Sequence, residues 1–230
     1  GGDPAFQEVK ELAIVYKLDE KEKKAVFAEN AKVALPPTDE MPERVATLRR
    51  KFPLSKPVEK ARLYVTARGV FDLHLNGARV SQDVFANGWT SYTKRLDTLT
   101  YDVTSQLKDG ANVIEARLAA GWFAGRLGWK HDKSLFGRGT ELLLQIEIKH
   151  RDGSTETIVS DGNWEGTFQG PIISSSIYDG EVFDARVQTE AWRPVIANAD
   201  LGQARLTPKP FPPVRPSETL TTKKIGRAHV

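Results

Sequence analysis

Residues 61–80, ARLYVTARGVFDLHLNGARV, leave this chain few folds to adopt. Leu63, Val65 and Ala67 alternate with other residues in the first run, and Phe71, Leu73 and Leu75 do so in the second. Period-two alternation collects one set of side chains on one face, which marks a half-buried β-strand. Asn76-Gly77 closes the second run. That dipeptide accepts the positive φ angles of a tight type I′ turn at no steric cost, so LHLNGARV predicts a hairpin whose return begins at Arg79 and Val80. Gly69, between the runs, predicts a bulge or a bend where the chain passes from one sheet to another.

The same grammar recurs downstream. Residues 47–52, 98–103, 113–118, Glu141–His150, Thr155–Val159, 164–168, 172–178, 182–187 and a run around 204–207 read as short strands. Asp109-Gly110-Ala111-Asn112 and Asp152-Gly153 are turn signals among them. Many short strands and no sustained helical period predict an all-β fold: one antiparallel β-sandwich of jelly-roll type with almost no helix. Leu63, Val65, Leu73, Leu75, Leu142, Leu144 and Ile146 are its expected core.

A chain of 230 residues suits one such domain with flanking segments. Residues 1–45 differ in character: Leu12, Ile14, Tyr16 and Leu18 alternate, residues 19–24 are all charged, and 25–27 begin a second apolar patch. They read as a hairpin or a pair of strands from a preceding domain, followed by a linker marked by Pro36-Pro37 and Pro42. The sandwich then covers residues 46–208. Residues 209–230 open on KPFPP and form a proline-rich connector to a further C-terminal region. The absence of cysteine excludes disulfides and thiolate metal sites but leaves the compartment open: periplasmic, extracellular or cytoplasmic. The balance of 33 basic and 30 acidic residues, without a basic stripe, argues against nucleic acid as a partner. No apolar run reaches the length of a membrane helix, and the first residues lack a signal-peptide profile.

Two constellations carry chemistry. In YDGEVFDAR, Asp179 and Glu181 are two residues apart, hence on one face of a strand, at roughly 6.5–7 Å by strand rise. That lies near the spacing of glycosidase acid/base pairs. The structural alternative is that Gly180 marks a bend and Asp179, Glu181 and Asp184 pair with Arg186 or cap backbone amides, and it is the better one, because lone carboxylate pairs are weak signals. The second constellation is aromatic. Trp89, Tyr92, Trp122, Phe123 and Trp129 fall in glycine-rich loops, where they either stack on sugar rings or, for Trp89 and Trp122, plug the ends of the sandwich. Asp83, Asn87, His131 and Asp132 lie in the same loops as oxygen- or nitrogen-bearing neighbours, and their oxygens suit calcium. His74, His150 and His229 are scattered, Ser174-Ser175-Ser176 lacks a nucleophile elbow, and the glycines at 125, 128, 137 and 139 lack a phosphate-cradle context. No cofactor is required by these residues, and calcium is the one ion they suggest.

LYVTARGVFDLHLNGARV, VFANGWTSYTKR with TYDVT behind it, GANVIEARLAAGW, and YDGEVFDAR followed by Trp192 together resemble the N-terminal β-sandwich of bacterial α-L-rhamnosidases, glycoside hydrolase family 78, over residues 46–215. The resemblance implies a galactose-binding-like sandwich whose partner is the catalytic (α/α)6 barrel that such enzymes carry C-terminal to it. It implies a non-catalytic module of an enzyme acting on terminal α-L-rhamnose. Some similar modules, carbohydrate-binding module family 67, hold terminal L-rhamnose through calcium at one edge of the sandwich, which makes rhamnose-containing glycans the alternative partner. Asp83 matches a calcium-ligating aspartate there, and residues 129–136 supply the opposite wall with Asp132 as an oxygen donor. A free-standing glycosidase is the third and weakest reading.

Overall fold

The computed structural model describes residues 11–18, 21–28, 43–128, 132–198 and 201–221, and the chain divides into two units, residues 1–42 and 43–230. In the first unit, β1 (Glu11–Leu18) and β2 (Lys21–Ala28) pair antiparallel, from Glu11 opposite Ala28 to Leu18 opposite Lys21. The expected hairpin is present, and residues 21–24, expected as a charged break, begin its second strand.

The second unit contains β3 (Ala46–Leu54), β4 (Val58–Arg68), β5 (Val70–Leu75), β6 (Ala78–Arg79), β7 (Arg95–Asp102) and β8 (Gly110–Ala119). It continues through β9 (Arg126–Leu127), β10 (Asp132–Lys133), β11 (Glu141–His150), β12 (Thr155–Val159) and β13 (Glu165–Thr167). β14 (Ile172–Ser176), β15 (Gly180–Phe183), β16 (Arg193–Pro194) and β17 (Arg205–Pro208) complete it. Helix among the described residues is confined to a 3-10 turn at Thr104–Gln106 and to α1, Gly121–Ala124. One sheet runs β12-β11-β4-β7-β17 and the other β16-β13-β3-β8-β5-β6; β14 and β15 make a separate hairpin.

Alternation dictates which residues meet between the sheets. Ala61, Leu63, Val65 and Ala67 of β4 are each no more than 1% exposed. The antiparallel register sets Leu144 opposite Val65 and Ile146 opposite Leu63. Leu73 and Leu75 of β5 and Ile114, Ala116 and Leu118 of β8 join them in one core. Each Leu or Ile so enclosed contributes about 1.5–3 kcal/mol of transfer free energy. Leu142, expected inside, is only half-buried and packs on the rim of this core.

Gly69 is the single residue between β4 in one sheet and β5 in the other. Its φ of +127° lies where a side chain is strained, and a Cβ there would stand 2.5 Å from the Ala119 carbonyl oxygen. The expected bend is therefore a crossing between sheets. At the opposite end of β5, Asn76 and Gly77 have φ of +54° and +84°, as a type I′ turn needs. The Asn76 side chain also donates to Gln106 O and Asn112 Oδ1, both at 2.8 Å, and accepts from Val113 N, stitching the hairpin to the turn before β8.

Several strands differ from expectation, among them the 182–187 run, which is β15 and stops at Phe183. The 164–168 run shortens to β13 because Trp164 turns inward, 2% exposed, with its indole N–H donating to Val159 O. The 172–178 run stops at Ser176, where a turn leads to Gly180 at φ +77°. β17 runs parallel to β7, from Arg205 opposite Arg95 to Pro208 opposite Thr98, so the antiparallel pattern has one exception at this edge.

Leu143 and Leu144 test the facing directly, since Leu144 is 1% exposed and Leu143 37%. Leu144→Ala should cost about 2–5 kcal/mol and Leu143→Ala less than about 0.5 kcal/mol in urea denaturation, the order reversing if the strand were read inside out.

Candidate functional site

The connection from β6 in one sheet to β7 in the other holds the candidates Asp83, Asn87, Trp89 and Tyr92. Its ties reach both sheets. Ala86 forms a bridge with Phe71 of β5, Tyr101 of β7 donates its hydroxyl to Asp83 Oδ2 at 2.8 Å, and Asn87 docks on β4. Asn87 is fully buried. Its side-chain carbonyl accepts from the Thr66 hydroxyl at 2.9 Å and from Ala67 N at 3.1 Å, and its amide donates to Ala67 O at 2.9 Å. The side chain thereby replaces a missing strand neighbour for β4, a use that leaves it no free polar atom to offer a sugar.

Phe85, Asn87 and Gly88 all lie in the left-handed region, at φ of +50°, +77° and +74°. For Asn and Gly this is easy, but for Phe it costs about 1–3 kcal/mol and persists only because surrounding contacts impose it. Asn87-Gly88 repeats the Asn76-Gly77 dipeptide, so the turn was visible in the sequence even though Asn87 was expected to face a ligand. Between the buried anchors Asp83 and Asn87 stands Phe85, 52% exposed, and beyond them Trp89, 57% exposed.

These two rings open an aromatic surface. Phe85 meets Trp122 at 5.9 Å between centroids, and Trp89 meets Phe136 edge-on at 6.3 Å. Phe136 in turn contacts Tyr92 at 5.2 Å, and Tyr92 contacts Phe123 at 5.1 Å. Tyr92 and Phe123, with Leu96, form a second small core beneath. The end of the sandwich is thus plugged by Tyr92 and Phe123, while Trp89 is left outward and Trp122 is half-buried on α1. Trp129 and His131 lie outside the described residues. Asp132 begins β10, opposite Leu127, and its side chain also lies outside them.

The Asp83 carboxylate is 1% exposed, and protein donors already hold both of its oxygens. Tyr101 serves Oδ2, and the Arg215 guanidinium serves Oδ1 at 2.5 Å. A cation at this carboxylate would have to displace a permanent positive charge. Calcium wants six to eight oxygens in one shell, whereas among the described residues no three His, Asp or Glu side chains converge. Asp83 as placed does not fit a calcium ligand. Arg215 belongs to the stretch expected as a free connector, and nothing in its local sequence, VRP, signals the contact.

The carboxylates of YDGEVFDAR are separated by the turn. Asp179 stands in it and Glu181 in β15, so the one-face geometry expected from a continuous strand does not arise. Asp179 accepts from Arg126 at 2.8 Å, and Arg126 also lies 5.1 Å from the Tyr178 ring centre. Asp184 takes both Nε and Nη2 of Arg186, at 2.8 and 2.7 Å, and its hydrogen bonds from Arg186 draw its carboxyl below the ordinary range. Glu181 is exposed on β15. Of the expected Arg186 partners, Asp184 alone is joined to it here, and Asp179 is joined to Arg126 instead.

Comparison with known proteins places the whole region. The profile of the α-L-rhamnosidase N-terminal domain family matches residues 56–223. An α-L-rhamnosidase of Formosa agariphila is 41% identical over 197 residues, 81% of this chain and 21% of that protein. The structure of Streptomyces avermitilis α-L-rhamnosidase complexed with L-rhamnose aligns with a TM-score of 0.72 at 31% identity, covering 88% of this chain and 24% of that one. The α-L-rhamnosidase of Dictyoglumus thermophilum aligns with a TM-score of 0.68 at 27% identity, over 92% of this chain and 22% of that one. The chain spans between a fifth and a quarter of the length of these relatives.

Asn87→Ala strips buried partners from Thr66 and Ala67, and we expect it to lower stability by about 2–3 kcal/mol in chemical denaturation. The tyrosines set a second expectation. Burial pushes the Tyr92 phenol well above its ordinary value, and burial, then the hydrogen bond with Asp83, does the same for Tyr101. The unfolded chain ionises both near pH 10, so their stabilisation is complete below about pH 10 and is lost as pH rises beyond it. Melting temperature should therefore fall above about pH 10, and Tyr92→Phe should flatten that fall.

Proposed function

Because this chain belongs to the α-L-rhamnosidase N-terminal domain family, we propose that it is a non-catalytic β-sandwich module supporting the catalytic region of an α-L-rhamnosidase, an enzyme acting on terminal α-L-rhamnose. The observation that carries the non-catalytic reading is the state of the carboxylates. Glycoside hydrolysis by a carboxylate pair needs one group free to give a proton and a second free to attack or to activate water across the ring. Asp179 is held by Arg126, Asp184 by Arg186 and Asp83 by Arg215, so Glu181, exposed on β15, has no second free carboxylate among these candidates to work with. The depression beside Asp83 and Tyr101 encloses about 10 Å³, room for one water and far less than a sugar ring.

A second reading concerns carbohydrate contact, and the outward Trp89, with the Phe85–Trp122 pair, favours it. Aromatic faces backed by a rigid layer, here Tyr92 and Phe123, suit the apolar face of a pyranose. Calcium has no part in this version of the site, since Asp83 is engaged on both oxygens.

We expect no turnover of an aryl α-L-rhamnoside by this chain; hydrolysis that vanished in Glu181→Gln would overturn the non-catalytic reading. In calorimetry with L-rhamnose, the contact reading expects weak binding that is the same with and without calcium and is lost in Trp89→Ala. Binding that requires calcium, or no binding at millimolar sugar, would overturn it.

A further inference from the structure

Beyond β17 the chain does not leave the sandwich but straps across the loop that carries Phe85 and Trp89. Lys209 N donates to Thr98 O at 3.0 Å, extending the pairing with β7, and Lys209 Nζ donates to Asn87 O at 3.2 Å. Val84 N then donates to Val214 O at 2.9 Å in an antiparallel bridge, and Arg215 closes on Asp83. The loop is gripped from two sides: from within by Tyr101 and by the Asn87 contacts with β4, from without by this strap.

We propose that the strap is a latch, in which docking of residues 209–215 and the outward setting of Phe85 and Trp89 are one coupled conformational state. The strained backbone supplies the reason. A left-handed Phe85 is not a local preference of the sequence, so contacts from elsewhere in the chain must select it. On the outer side of the loop those contacts are Val214 O on Val84, Arg215 on Asp83 and Lys209 on Asn87. Releasing Arg215 leaves Asp83 buried without its counter-charge, which favours opening of both segments together. The coupling is reciprocal: whatever holds the aromatic face in place also holds the exit of the chain, and the path of the exiting chain sets that face. It needs no ligand, so its failure would leave the proposed function standing.

Amide hydrogen exchange on the whole 230-residue chain reads it. The Val84 amide reports the strap, because it donates to Val214 O, and the Gly88 amide reports the loop, because it donates to Phe85 O. In Arg215→Ala both should exchange about tenfold faster or more, while amides of β4 and β11 keep their protection. Arg215→Lys should restore part of the difference. If Arg215→Ala lowered protection throughout the sandwich, Asp83→Asn, which keeps the shape of the side chain, would carry the same comparison from the other partner. Faster exchange at Val84 with Gly88 unchanged would show two independent segments and overturn the proposal, as would no change at either amide.

Discussion

The sandwich depends on the junction of β4 with β5. A single residue separates them, yet they lie in different sheets, so the register of one sheet is tied covalently to that of the other. Sliding β4 by one position would turn Leu63 and Val65 outward and would drag Leu73 and Leu75 with them. The Gly69 backbone, close against Ala119 O, admits no side chain that could relax the angle. β11 and β7 then take their places on either side of β4, and β8 beside β5, because those edges and faces are the ones left to satisfy.

Polar residues secure what apolar packing alone leaves loose. Asp83, Asn87, Asp97 and Asn112 are all buried, and each answers a backbone or side-chain group at the margin of the core. Asn112 binds Lys108 N and O and Gly110 O, while Asp97 accepts from Arg95 and Thr207. Such groups are costly when unanswered, so they admit one arrangement of the connecting chain among the many that would cover the same apolar surface. The aromatic face is therefore displayed on a scaffold whose loop geometry is specified by hydrogen bonds.

What could be read in the sequence follows from the range of each interaction. Leu63, Val65, Leu144 and Ile146 were legible because alternation is a local property of a strand, and Asn76-Gly77 because a tight turn is specified by its own residues. Leu142 sits at the rim, where pattern and burial part company. Trp89 and Trp122 could not be assigned to plug or surface from spacing, since Tyr92 and Phe123 compete for the same volume and are the ones enclosed. Asp83 carried the pattern of an exposed ligand, but Arg215, 132 positions away, determines its state. The separation of Asp179 from Glu181 was legible too, because Gly180 marks the bend by its own residue type, and it stands at positive φ at the start of β15.

The parallel strand β17 has a bearing on where such a module can be cut. Without it, β7 would be a bare edge, offering unpaired backbone groups to the next molecule in solution. β17 covers that edge with a short strand ending in Pro208, a residue that cannot donate to a further neighbour. A version trimmed at the last antiparallel strand, Arg193–Pro194, would lose this edge guard together with Val195, Leu201 and Ala204, which pack on the two cores. The portable unit therefore ends no earlier than Pro208 for the sake of this edge, and no earlier than Arg215 if the ion pair with Asp83 is kept as well, so the module's defence against self-association is a four-residue strand near its end.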